Sequence, residues 1–116
     1  MVRIEFIGAY RPLPEELTLK ESLIEGWGVH AVQDIPTRTV LGITHVEDSR
    51  FPDGLIRTPL GGYLNHSTES NSKLVRNSSE KWWELVTTRD IQIGEEITLN
   101  YSQEECGKNY FKKCSK

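Results

Sequence analysis

The sequence predicts a small, mainly β fold in one domain, and three observations lead there. Strand-patterned runs are short and numerous, turn-forming residues separate them at close intervals, and 116 residues leave room for a single core. Arg3 to Ile7 alternates polar and apolar residues, and Leu17 to Leu19 repeats the alternation briefly. Val29 to Val32, Val40 to Val46, Leu74 to Arg76, Trp83 to Thr88 and Glu96 to Tyr101 are rich in β-branched or aromatic residues. Such residues fill a pleated, half-buried surface. Between these runs stand Pro12 and Pro14, Gly26 and Gly28, Pro36, Pro52 to Gly54, Pro59, Gly61-Gly62 and Gly94. Helix is expected only in short pieces: Pro14 to Leu17, a turn over Tyr63 to His66, and Gln103 to Phe111. The segment from Val46 to Leu60 is the least regular and is expected to be a surface insert. Short strands with close-set turns assemble into several small sheets.

Composition narrows the function classes. A hydrophobic fraction of 36% with 27% charged residues is that of a soluble globular chain. The longest apolar runs are a few residues, so no membrane span is expected. Charges in Met1-Val2-Arg3-Ile4-Glu5 stand where a signal peptide would build its apolar core, so an intracellular protein is expected. A net charge of −3 with intermixed signs disfavours direct nucleic-acid binding and suits a basic partner such as a lysine-rich peptide. Lys108, Lys112, Lys113 and Lys116 read as a solvated tail. Cys106 and Cys114 lack the further ligands a zinc site needs, so no metal is expected and the thiols read as reduced. Trp82 and Trp83 are adjacent on a predicted strand and so face opposite ways. One can enter the core, while the other either lies on the chain's own surface or anchors a homodimer.

Three segments carry polar or glycine patterns that strand formation does not require. Glu25-Gly26-Trp27-Gly28-Val29 leads into a strand, and its paired glycines allow a tight turn or close approach of backbone to a ligand. Gly61-Gly62-Tyr63-Leu64-Asn65-His66-Ser67, followed by Asn71, sets several polar side chains together. Buried polar groups need partners, so this cluster either caps a turn or meets a polar ligand. Gly94-Glu95-Glu96-Ile97-Thr98-Leu99-Asn100-Tyr101 is, by itself, a glycine turn and an ordinary strand.

Together and in this order, the three segments resemble the SET-domain family. Its members carry a G-x-G turn near the start, an NHS or NHC segment in the middle, and a G-E-E-[LI]-T-x-[DN]-Y strand near the end. Here these are Gly26-Trp27-Gly28, Asn65-His66-Ser67 and Gly94 to Tyr101. Asp90 to Glu96 and Asp34-Ile35-Pro36 are similar to two further turns of the family. The resemblance covers roughly 19–102 of a single domain spanning 1–116, and the lack of accessory segments looks most like short, stand-alone viral or bacterial SET proteins.

The resemblance implies a β-clip fold of several small sheets, with a C-terminal pseudoknot where the NHS and tyrosine segments cross. It implies a protein-lysine N-methyltransferase that uses S-adenosylmethionine, with a lysine-containing, histone-like protein or peptide as substrate. By position, Gly26, Trp27, Gly28, Asn65, His66 and Tyr101 should contact the cofactor, with Tyr101 catalytic. Tyr63, Leu99 and Tyr101 should line the lysine channel. A leucine at position 99 leaves room beside the nitrogen, which implies methylation beyond one methyl group. The chain also departs from the family pattern. Gly62, Thr68 and Ser70 replace the usual Arg, Cys and Pro around Asn65-His66-Ser67, and Asn100 replaces an Asp. A second tyrosine usual near Gly42 is missing, and His45 lies in that region. The competing expectation is a SET-fold peptide-binding module that is catalytically weak or inactive.

Overall fold

A computed structural model describes residues 13–51 and 54–104. The predicted strand Arg3 to Ile7 and most of the predicted helix Gln103 to Phe111 lie outside the described residues. The described residues form three small sheets. In the first, β1 (Leu17–Glu21) and β2 (Trp27–Ala31) make an antiparallel hairpin. The second is antiparallel and contains β3 (Val40–Glu47), β4 (Leu55–Arg57), β6 (Ser72–Asn77) and β7 (Trp82–Thr87), in the order β4-β3-β7-β6. The third sheet pairs β5 (Asn65–His66) with β8 (Thr98–Leu99) in parallel.

Local chemistry accounts for where these elements start and stop. The β6–β7 turn closes because Asn77 Oδ1 accepts from Ser79 Oγ at 3.0 Å and from the Glu80 N–H at 3.2 Å. Such Asx-type bonding offsets the positive φ of 60° at Lys81. A single helical turn, α1 (Pro59–Gly62), begins at Thr58, whose hydroxyl accepts from the Gly61 N–H at 3.3 Å. Proline follows at the first helical position, where its missing N–H costs nothing.

The helical turn therefore comes earlier than expected, at 59–62, and Asn65-His66 is extended. Pro14 to Leu17 is a turn closed by the Leu17 N–H on the Pro14 carbonyl at 3.1 Å, not a helix. The expected irregular insert contains β4, which pairs Arg57 with His45 and Leu55 with Glu47. Three residues are too few for a pattern to reveal a strand that only an existing edge makes stable.

Irregularities in β3 shape the interior. Its pairing with β7 shifts register between Val40 and Gly42 and again between Ile43 and His45. A bulge breaks the two-residue period, so the adjacent Thr44 and His45 are both fully buried. The core gathers one or more residues from each sheet: Val29, Leu85, Ile97 and Leu99 are fully buried, with Ile35 and Ile91 nearly so. Each such side chain contributes roughly 1.5–3 kcal/mol by leaving water. Trp83 packs against this core, while Trp82 is half-buried and donates its indole N–H to Glu84 Oε2 at 2.9 Å. The chain's own surface thus provides Trp82 with a polar partner. No helix among the described residues is long and apolar enough to cross a membrane.

Candidate active site

The three sequence segments converge where β2, β5 and β8 meet. The hairpin before β2 is tied by the Ser22 hydroxyl, which accepts from the Ile24 N–H at 2.8 Å and the Glu25 N–H at 3.2 Å. Gly26 takes a positive φ of 50° to complete that turn. Gly28, buried at the start of β2, is required for a different reason: a Cβ there would stand 2.1 Å from Glu96 Oε2 and 3.2 Å from Asn65 Nδ2. Backbone and carboxylate can share that space only without a side chain.

Asn65 joins the hairpin to the end of the chain. Its Nδ2 lies 2.8 Å from Glu96 Oε2, 3.1 Å from Ser22 Oγ, 3.1 Å from the Glu25 carbonyl and 3.4 Å from the Trp27 carbonyl. All four can accept, so the amide is oriented with its NH2 group inward. Ser22 donates its own proton to Glu96 Oε1 at 2.7 Å. His30, buried on β2, donates from Nδ1 to the Gly28 carbonyl at 3.1 Å and holds Nε2 4.0 Å from Glu96 Oε1.

Asn71 secures the crossing of the two later segments. It is buried, donates to the Glu96 carbonyl at 2.8 Å and accepts from the Thr98 N–H at 3.0 Å. The ladder continues with the Ser67 N–H on the Leu99 carbonyl at 2.9 Å. His66 then meets Tyr101: its Nδ1 accepts from the Tyr101 N–H at 3.1 Å, and the two rings are tilted with centroids 5.2 Å apart. The Tyr101 hydroxyl, half-buried, donates to the Leu64 carbonyl. Asn100 caps the short 3-10 turn Tyr101–Gln103 by accepting from the Ser102 N–H at 3.2 Å, which turns the chain just after the tyrosine.

Among the residues singled out from sequence, Gly28 and Asn65 meet around Glu96, and His66 meets Tyr101. Trp27 is 56% exposed beside this cluster, and Tyr63 stands 44% exposed at the end of α1. Leu99 is fully buried in the core alongside Ile97, as strand alternation from Ile97 dictates. Sequence reasoning missed Ser22, His30 and Glu96. A signal existed: Glu96, Thr98 and Asn100 occupy the strand face opposite Ile97 and Leu99, and three polar residues in period two need partners if that face is covered. His45 lies on β3 with Nδ1 2.9 Å from Thr44 Oγ1. Burial, and secondarily the Arg57 charge, holds its pKa down to about 4, so it is neutral near pH 7.

Comparison with known proteins agrees with this geometry. Residues 43–102, just over half of the chain, match the family described as SET domain. The chain belongs to the SET-domain family. Over 45 residues, 39% of the chain, it is 44% identical to histone-lysine N-methyltransferase set9 of Aspergillus terreus, and 47% identical to its counterpart in Aspergillus fumigatus. The match spans 7% of the length of those fungal relatives. Its fold is similar to the methyltransferase domain of human PR domain-containing protein 2, with a TM-score of 0.59 at 22% identity, covering 74% of this chain and 76% of that one. A chain of an active polycomb repressive complex 2 in the basal state gives a TM-score of 0.61 at 20% identity, covering 78% of this chain and 16% of that one.

Proposed function

We propose that the protein is a protein-lysine N-methyltransferase that takes its methyl group from S-adenosylmethionine, with Tyr101 as the catalytic residue. The observation that supports this most is the direct coupling of His66 to Tyr101, 35 residues apart, through the histidine ring nitrogen and the tyrosine N–H. That contact makes one unit of two motifs whose only other plain reading is a turn and a strand. The similarity to named histone-lysine methyltransferases points the same way.

The residues present fit the cofactor. Asn65 spends its NH2 group on protein acceptors, and among the described residues no donor reaches its Oδ1. That oxygen is left to accept from a ligand donor such as an amino-acid ammonium. Gly26, Trp27 and Gly28 would supply backbone beside it, and His66 the adjoining wall. When bound, S-adenosylmethionine supplies a methyl group activated on a sulfonium.

The chain's own task is to position two ligands and manage one proton. Free lysine is protonated at pH 7, its ordinary pKa being near 10.4. A channel lined by Tyr63 and Tyr101 would disfavour the ammonium by desolvation and release its proton to water, whereas Leu99, expected in that lining, is fully buried in the core. With its own proton directed to the Leu64 carbonyl, the Tyr101 oxygen turns lone pairs toward whatever it meets, and so can accept an N–H from the neutral amine. The net charge of −3 suits a basic, histone-like substrate. Incubation with labelled cofactor and lysine-rich peptides tests the reading. Label on lysine in the unaltered chain, lost in Tyr101→Phe, is expected; cofactor binding without transfer would instead identify an inactive peptide-binding module.

A further inference from the structure

We infer that Glu104 is a positioning residue for Tyr101, fastening the turn after the tyrosine to the edge of β6; the inference rests on the methyltransferase reading above. Regular structure does little to hold that part of the chain. The strand β8 ends at Leu99, and the 3-10 turn Tyr101–Gln103 is three residues long. Two backbone bonds close the turn, the Gln103 N–H on the Asn100 carbonyl at 2.9 Å and the Glu104 N–H on the Tyr101 carbonyl at 3.4 Å. The second is longer than a strong N–H···O bond, so the turn needs support from outside itself.

Glu104 provides that support. Because β6 is an edge of the four-stranded sheet, alternate N–H groups along it point away from β7. The Leu74 N–H is one of them, and it donates to Glu104 Oε1 at 3.0 Å across 30 positions of sequence. Glu104 is 5% exposed and is the only buried carboxylate among the described residues; Glu47, Asp48, Glu84, Glu95 and Glu96 are all more open. Burying a carboxylate is costly, and water can satisfy an edge N–H without that cost. What the buried side chain adds is a fixed link between β6 and the Tyr101 turn. Its far end is firm, because Leu74 belongs to the packed core.

Tyr101 is thereby held from three directions. Its N–H goes to His66 on β5, its hydroxyl goes to the Leu64 carbonyl, and the turn that follows it is moored to β6. The hydroxyl stands at the far end of a long rigid ring, so a small rotation of the backbone moves it more than the N–H. A displacement of about 1 Å at a reacting centre can cost about a hundredfold in rate. Gly28, Asn65 and Glu96, by contrast, meet ahead of β8 and make no use of this mooring.

Steady-state methyl transfer to a lysine-rich peptide, with calorimetric titration of S-adenosylmethionine, tests this in Glu104→Ala and Glu104→Gln. In Glu104→Ala kcat is expected to fall by about tenfold or more, with cofactor affinity unchanged. Glu104→Gln keeps an oxygen for the Leu74 N–H and should retain kcat to within about threefold. Should Glu104→Ala fail to fold by circular dichroism, Glu104→Asp, one methylene too short for the bond, is expected to show the same loss. An unchanged kcat without the bond, an equal loss of kcat and cofactor affinity, or a glutamine variant as impaired as the alanine one overturns the role of Glu104. If the unaltered chain transfers no methyl group, the methyltransferase reading fails. Positioning is then still read from the ring carbon signal of Tyr101 in tyrosine-labelled protein, assigned by its disappearance in Tyr101→Phe. That signal should shift in Glu104→Ala and stay in place in Glu104→Gln, and an unmoved signal in both overturns the mooring.

Discussion

Tyr101 makes separate contacts through its backbone and its hydroxyl. The N–H goes to His66 and the O–H to the Leu64 carbonyl. Tyr101→Phe keeps the first and loses the second, so stability is expected to fall by about 1 kcal/mol in denaturant titration. Cofactor affinity should be unchanged, whereas lysine methylation should drop roughly a hundredfold or more, because the hydroxyl is the group proposed to receive the substrate N–H. Methyl-transfer assays beside calorimetry separate the two effects. Asn65→Ala has the opposite signature. It leaves Glu96 Oε2 without its amide donor and removes the proposed ammonium acceptor, so cofactor binding should weaken by about 1–3 kcal/mol. Unchanged affinity in that variant would put the cofactor elsewhere.

Short elements are held in place by single atoms of clearance. The turn α1 lies so close to β3 that a Cβ on Gly61 would meet the Thr44 carbonyl oxygen at 2.4 Å. That obstacle is backbone, which cannot rotate away. Gly61→Ala is therefore expected to cost about 1–3 kcal/mol of unfolding free energy, although alanine favours helix. Gly62→Ala, whose Cβ would find only Arg57 Nε at 3.7 Å, should be close to neutral. Comparing the two melting temperatures checks the claim, and equal losses would refute it. Displacement of α1 also bears on Asn65, because β5 begins three residues after the helical turn ends.

For the molecule as a whole, His45 links stability to pH. Its pKa is about 4 in the fold against an ordinary 6.5, so the unfolded chain binds more protons between those values. Unfolding free energy should then be fully present above about pH 6.5 and decline as pH falls toward 4, by up to about 3 kcal/mol. His45→Gln should flatten that part of the pH–stability curve measured by chemical denaturation. An unchanged slope would show that the ring is not buried neutral.

By itself the sequence determined most of the strand runs among the described residues and the three segments that the fold brings together. Both are local: side-chain alternation is set residue by residue, and the spacing from Gly94 to Tyr101 lies within one strand and its turn. Leu17, Leu85 and Ile97 therefore occupy core positions within predicted strands. Tertiary structure alone decided the partners. The strand β4 exists because β3 offers an edge, and Thr44 and His45 turn inward together because β3 is bulged against β7. Glu96 looked like any charged strand residue until Ser22, 74 positions away, and Asn65, 31 positions away, were brought to its two oxygens. A hydrogen bond requires two atoms within about 3 Å, and nothing local to either residue encodes which distant strand will deliver the other.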